Sequence, residues 1–229
     1  MSNFQTDRPN VVATITQQAD LELLANGAQL ELPDVLEFRL DNLSGHLDKT
    51  EETIRSVPAN VCRLITTRTP EEGGIGDLSD SRRYEIYRQF PELADLVDIE
   101  VSTLQKAAFS SFIEEIGCPV VASFHDFAGF PGKARLEKTV DQAYELGADI
   151  AKVAVVVETF ADLNSLVELV ESRRSAGKAI SAMGMGPLGK LSRLVLAKAG
   201  SCLNYGYFQA ENAPGQWPAT ELSELIRKL

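Results

Sequence analysis

The chain has 229 residues, 44% of them hydrophobic, and its 33 acidic against 22 basic residues leave a net charge of -11. That length suits one large core and a single α/β barrel domain spanning residues 1–229, and the charge argues against nucleic acid or an anionic membrane as partner. The first residues, MSNFQTDRPN, hold no apolar signal core and no stretch approaches a membrane span, so a cytoplasmic protein is expected, with residues 1–10 a flexible N-terminal segment.

Eight short β-branched runs follow in chain order: VVATIT (11–16), VLEFRLD (35–41), CRLITTRT (62–69), LVDIEVS (96–102), PVVASFHDF (119–127), DIAKVAVVV (149–157), AISAMG (179–184) and CLNYGYF (202–208). Amphipathic stretches such as DSRRYEIYRQFPELA, KARLEKTVDQAYELG and TFADLNSLVELVESRRSAG lie between them, with Gly147 and Gly177 as helix stop signals. Strand and helix alternating eight times at this length predict a closed (β/α)8 TIM barrel rather than an open doubly wound sheet.

Successive strand residues point to opposite faces. In VLEFRLD one face is Leu36, Phe38 and Leu40 and the other is Glu37, Arg39 and Asp41. The apolar face must meet the helix layer, so the charged face is expected inside the barrel. The same rule pairs Thr66 with Arg68, Asp98 with Glu100, Ser123 with His125, and Lys152 with Ile150 and Ala154. Any one of these residues alone reads as a packing ion pair. Five strands aiming polar groups at one axis, mostly toward their C-terminal ends, read as a site. Lys152 is the sharpest case, because an unpartnered ammonium in a buried apolar strand is costly. His46, in the loop DNLSGHLDKT, has no such surroundings and reads as solvated surface.

A G-x-G-x-x-G match, GMGPLG at 184–189, falls in the seventh strand-helix unit, and no acidic residue closes a following strand to bind a ribose hydroxyl. It is better read as a tight loop before a helix whose amides, with Arg193, face an anionic ligand group, a phosphate included. Cys62, Cys118 and Cys202 each begin a candidate strand, form no metal-type cluster and are expected to be reduced core thiols. Arginine outnumbers lysine, and such an acidic, lysine-poor surface would suit a salt-rich cytoplasm.

The ordered motifs EFRLD (37–41), TRTPEEGG (67–74), DIE (98–100), SFHDF (123–127), AKVAV (151–155), LSRL (191–194) and APGQ (213–216) run through most of the chain. As a set they resemble the type I 3-dehydroquinate dehydratases, Schiff-base-forming hydro-lyases that convert 3-dehydroquinate to 3-dehydroshikimate, the third step of the shikimate pathway toward chorismate and the aromatic amino acids. The resemblance implies that Lys152 forms the imine, that His125 is the general acid and base, and that Glu72 orients and polarises the histidine. It implies further that Glu37, Arg39 and Arg68 hold the substrate's ring hydroxyls and neighbouring charges, and that Arg193 binds its carboxylate. Gln216 would contact substrate from a closing lid, QAENAPGQWP at 209–218. Where the family commonly has a serine before APGQ, Asn212 stands here, able to donate and accept in its place. Asp98 and Glu100 are assigned supporting roles, and a homodimer is implied.

The residues suit that chemistry. Loss of water from a β-hydroxy ketone requires removal of an α-proton, and a protonated imine is an electron sink for the resulting carbanion. Burial and nearby arginines would favour the neutral amine that condensation needs, whereas Glu37 or Glu100 would oppose it. Histidine titrates close to working pH, and no metal or organic cofactor is required. A class I lysine-imine aldolase on the same barrel and a non-catalytic barrel binding an anionic metabolite remain as alternatives.

Overall fold

Eight strands are present, and each begins within one residue of the run that predicts it: β1 (Asn10–Ile15), β2 (Val35–Arg39), β3 (Cys62–Thr66), β4 (Leu96–Glu100), β5 (Val120–Asp126), β6 (Ile150–Val156), β7 (Ala179–Met185) and β8 (Leu203–Tyr207). This computed structural model describes residues 4–26, 30–213 and 215–229, so residues 1–3 of the segment expected to be flexible, and Pro214 of the loop after β8, lie outside it. The described helices are α1 (Gln18–Ala25), α2 (Leu47–Ser56), α3 (Asp80–Gln89), α4 (Val101–Leu104), α5 (Ala107–Glu115), α6 (Lys133–Glu145), α7 (Phe160–Ser175), α8 (Gly189–Ala199) and α9 (Ala219–Arg227).

Every strand from β1 to β6 pairs in parallel with the next in sequence, and β1 also pairs with β8. The remaining seam, between β7 and β8, is bridged by Cys202 N donating to Ile180 O at 2.9 Å and Ser181 Oγ donating to Leu203 O at 2.8 Å. Ser201 Oγ adds an acceptor for Ala182 N at 3.0 Å. The result is a nearly closed (β/α)8 barrel, as the alternation predicts.

Side chains divide as expected. Leu36, Phe38 and Leu40 point outward into the large cluster shared with the helices, together with Ile65, Ile99 and Val153. Val35, Leu64, Leu96, Val121 and Ile150 point inward and, with Cys62 and Cys202, fill the N-terminal half of the barrel. The charged residues therefore stand on an apolar floor. Cys118 is half-buried rather than a core residue.

Three strands end two or more residues before their sequence runs do: β2 at Arg39, β3 at Thr66 and β4 at Glu100. Beyond β3 the backbone amides of Thr67, Arg68 and Thr69 bond to side chains instead of a neighbouring strand, namely Tyr87 Oη at 2.9 Å, Asp41 Oδ1 at 3.1 Å and Glu100 Oε1 at 2.9 Å. Polar side chains thus take over the ladder where the site begins, and the chain is freed to turn. At the helix ends local chemistry dominates: Thr159 and Asp162 cap each other at the start of α7. Gly147 and Gly177 follow α6 and α7 with φ of 90° and 71°, which is glycine's territory.

At the floor, the Asn10 side chain donates to the carbonyls of Gln5, Arg8 and Cys202 at 2.7, 3.0 and 2.8 Å. No helix among the described residues is long and apolar enough to cross a membrane. Helix α9 closes over β8, where a Cβ on Gly206 would lie 2.7 Å from Ala219 Cα. Gly206→Ala must therefore push α9 away from the strand and is expected to cost about 1–3 kcal/mol. Urea unfolding checks this, and an unchanged midpoint would refute the close approach.

Candidate active site

The inward rows of β2 to β6 bring their polar residues to one cavity above the apolar floor. Lys152, midway along β6 and 3% exposed, donates from Nζ to Asp98 Oδ2 at 2.8 Å, and the same nitrogen sits 4.0 Å from the centroid of the Tyr205 ring. Burial pushes the Asp98 carboxyl up, but Arg68 and Lys152 beside it outweigh burial and hold it well below the usual carboxylate range. The carboxylate against the lysine is thus Asp98, rather than Glu37 or Glu100. Glu37 accepts from Thr66 Oγ1 at 2.8 Å.

Arg68 occupies the centre. Its guanidinium donates to Asp98 Oδ1 at 2.9 Å, Glu100 Oε1 at 3.1 Å and Ser123 Oγ at 2.6 Å, and Ser123 in turn donates to Asp98 Oδ1 at 2.6 Å. Glu100 faces away from the lysine: its other oxygen accepts from Arg83 and from Thr103 Oγ1, the latter at 2.8 Å. Arg83, fully buried on α3, also donates twice to Thr67 O, at 2.9 and 2.8 Å. The motif reading passed over Arg83, although a signal was there. Arg83, Ile86, Tyr87 and Phe90 form a buried helical stripe at i, i+3, i+4 and i+7, and a cation on that stripe needs a buried anion.

The loop after β3 carries Glu72. Arg39 grips Asp41 bidentately at 2.9 and 2.7 Å and reaches Gly73 O at 3.1 Å, while Asp41 accepts from the amides of Arg68 and Ile75, both at 3.1 Å. These bonds set Glu72 beneath His125 on β5, where Glu72 Oε2 lies 2.9 Å from the histidine's backbone N and 3.0 Å from Nδ1. Burial, reinforced by the charges of Arg68 and Lys152, holds the imidazole well below its ordinary value. Burial also raises Glu72, to about 7, against the opposing pull of Arg68 and with help from Glu100. Both shifts disfavour an imidazolium–carboxylate pair. A neutral ring next to ionised Glu72 donates through Nδ1–H and keeps Nε2 as its basic atom.

Opposite these groups, Arg193 on α8 is 1% exposed and donates to the carbonyls of Tyr205, Gly184, Gly189 and Gly215. Burial lowers it to about 10, with Glu211 opposing. Gln216 Oε1 accepts from the amides of Asn212 and Ala213 at 2.8 and 3.2 Å, and Asn212 Oδ1 accepts from Thr16 Oγ1 at 3.2 Å, which ties the loop to β1's exit. In GMGPLG, Gly184 lets Ser192 approach, since a Cβ there would lie 2.5 Å from Ser192 Oγ. The glycine therefore serves helix packing.

One cavity, open to solvent, is lined by all nine residues singled out from the sequence: Glu37, Arg39, Arg68, Glu72, His125, Lys152, Arg193, Asn212 and Gln216. Thr14, Phe127, Met183, Met185 and Tyr205 also line it, and none of these five was singled out. Thr14, Met183 and Tyr205 sit on inward strand positions, but uncharged residues there are indistinguishable in sequence from barrel filling. His46 is exposed, far from any such grouping. Among the described residues no group of three or more His, Cys, Asp or Glu is placed to hold a metal ion. A buried amine, a neutral histidine backed by a carboxylate, and flanking arginines can together form an imine, move a proton and bind a carboxylated ligand.

The family model of type I 3-dehydroquinase matches residues 11–229. A 3-dehydroquinate dehydratase of Methanothrix thermoacetophila is 30% identical over 231 residues, covering 100% of this chain and 96% of the relative. That of Methanosarcina barkeri is 32% identical over 229 residues, covering 96% and 94%. Among solved structures, the 3-dehydroquinate dehydratase of Geobacillus kaustophilus matches with a TM-score of 0.83 at 26% identity, over 97% of this chain and 91% of that one. The type I enzyme of Clostridium difficile, solved with covalently modified comenic acid, matches with a TM-score of 0.82 at 26% identity, over 97% and 92%.

Removing the central cation would leave Asp98 and Glu100 buried with fewer partners. Arg68→Met is expected to cost about 3–5 kcal/mol of stability, read as a lower urea midpoint. A loss below about 1 kcal/mol, the size of a surface pair, would mean that the arginine does not neutralise them.

Proposed function

The chain belongs to the type I 3-dehydroquinase family and dehydrates 3-dehydroquinate in the shikimate pathway, and from that premise we propose roles for its own residues. The observation that carries them is a buried lysine in one cavity with a histidine–glutamate pair and Arg193. Family membership sets the aldolase and the non-catalytic barrel aside. A homodimer and a cytoplasmic place belong to the same proposal and rest on the family alone.

Lys152 passes a proton to His125 Nε2 and attacks the ketone; the histidine returns that proton to the carbinolamine hydroxyl, which leaves as water, and a protonated imine forms at Nζ. His125 Nε2 then takes the α-proton, and the C–H electron pair flows toward the imine nitrogen to give a neutral enamine. The histidine's new proton goes to the β-hydroxyl as its C–O bond breaks, so water departs and the electron pair returns. Hydrolysis of the imine releases product and lysine. Glu72 accepts Nδ1–H throughout and stabilises the imidazolium that forms for a moment. Arg193, with Gln216 and Asn212 on the loop, binds the substrate carboxylate, while Glu37, Arg39 and Arg68 face the ring hydroxyls. Nε and Nη1 of Arg193 are engaged with the carbonyls of Tyr205, Gly184, Gly189 and Gly215, and the carboxylate is bound through Nη2.

Borohydride added during turnover should leave a reduced adduct on the peptide carrying Lys152, seen by mass spectrometry and lost in Lys152→Ala; turnover without an adduct would reject the imine role. The pH dependence follows from Glu72. Above about 7 it is a carboxylate that accepts Nδ1–H, and below about 7 it is protonated and no longer does so. Activity should therefore fall as pH falls, with an apparent value near 7 for the pair in kcat/KM. Glu72→Gln should lower kcat by about 10²–10⁴-fold and flatten that limb, and an unchanged limb would separate Glu72 from it.

A further inference from the structure

We infer that Tyr205 is a further catalytic residue, whose ring face stabilises the positive charge that Lys152's nitrogen carries in the imine stages. The inference rests on Lys152 as the imine-forming residue. Tyr205 comes from β8, two strands from β6 around the barrel, and its ring centroid lies 4.0 Å from Nζ, well inside the range over which an aromatic face attracts a cation. The same nitrogen has Asp98 Oδ2 at 2.8 Å, so it is held between a carboxylate and a π face. Lys152 is 3% and Tyr205 4% exposed. Water does not screen this pair.

Two other lysines stand over aromatic rings, Lys178 over Tyr144 at 4.4 Å and Lys190 over Trp217 at 4.5 Å. Both of those lysines are exposed, where such contacts are weakest. The Lys152 pair is the closer one and is buried at the reacting atom.

The ring, rather than the hydroxyl, accounts for the placement. Tyr205 Oη is buried and meets no hydrogen-bond partner among the described residues. A buried hydroxyl without a partner costs stability, so the oxygen gives no reason for a tyrosine here, and a phenylalanine would supply the same face. Burial, together with the nearby charges of Glu37 and Asp98, pushes the phenol well above its ordinary value, which keeps the ring neutral.

In the reaction the nitrogen becomes cationic when the protonated imine forms. It is neutralised when the C–H electron pair moves toward it, and becomes cationic again when the β-hydroxyl leaves and the pair returns. A fixed π face favours the two cationic stages without moving between them.

The test replaces Tyr205 with phenylalanine and with mono-, di- and trifluorophenylalanine, which weaken the ring face stepwise at nearly constant volume. Each is measured for kcat, KM and the fraction of Lys152 trapped by borohydride. Tyr205→Phe should keep kcat within about two-fold, and kcat and trapping should then fall with each fluorine, by about ten-fold in all, at constant KM. Tyr205→Leu should lose about thirty-fold, and the fluorinated series keeps the test decisive even if that variant folds poorly. Equal kcat and trapping across the series, with normal trapping in the wild type, would overturn the inference and leave Tyr205 as packing. Absence of any adduct in the wild type would instead overturn the imine role of Lys152 on which it stands.

Discussion

The guanidinium of Arg68, buried at the barrel axis between Asp98, Glu100 and Ser123, governs the electrostatics of everything around it. Two carboxylates within a dry barrel would otherwise protonate, because burial disfavours their charge. With Arg68 in place Asp98 stays ionised and available to Lys152. The same positive charge pushes His125 toward its neutral form and opposes the burial that raises Glu72. One cation thus favours a counterion for the amine and a base in the correct state.

Such a centre is not the cheapest way to fill a barrel. Well-packed apolar residues often replace buried ion pairs without loss of stability, and the floor below the site, from Val35 to Ile150, shows that solution. Charge is confined to the C-terminal half, where strand ends and loops can surround a ligand. Arg83 on α3 extends the network outward to Glu100 and the carbonyl of Thr67. Helix packing and site electrostatics are therefore joined at one residue. The apolar layer beneath closes the barrel on its N-terminal side, and Tyr205 at its upper edge touches both regimes, packed in the floor cluster and facing Lys152.

Loops supply what strands cannot. Glu72 lies on no strand, and Asp41 holds its loop by bonding the amides of Arg68 and Ile75. The loop after β8 is held through Arg193, whose guanidinium also bonds the body of α8. Backbone carbonyls therefore orient the arginine that a substrate carboxylate would meet before any ligand arrives.

The sequence by itself determined the eight strands, their order, and which residues face inward, because a period of two leaves one assignment that buries Leu36, Phe38 and Leu40. Charge on the opposite row of five strands made most of the site legible, and ordered motifs supplied Glu72, Arg193, Asn212 and Gln216. Tertiary structure decided the pairing. Asp98, Glu37 and Glu100 are alike in sequence, all acidic and inward-facing, and only the stagger between strands places Asp98 at the lysine and turns Glu100 toward Arg83. The shorter strand ends, the role of Asp41 and the approach of Tyr205 were hidden for the same reason. Each depends on contacts between residues tens of positions apart, which local periodicity does not encode.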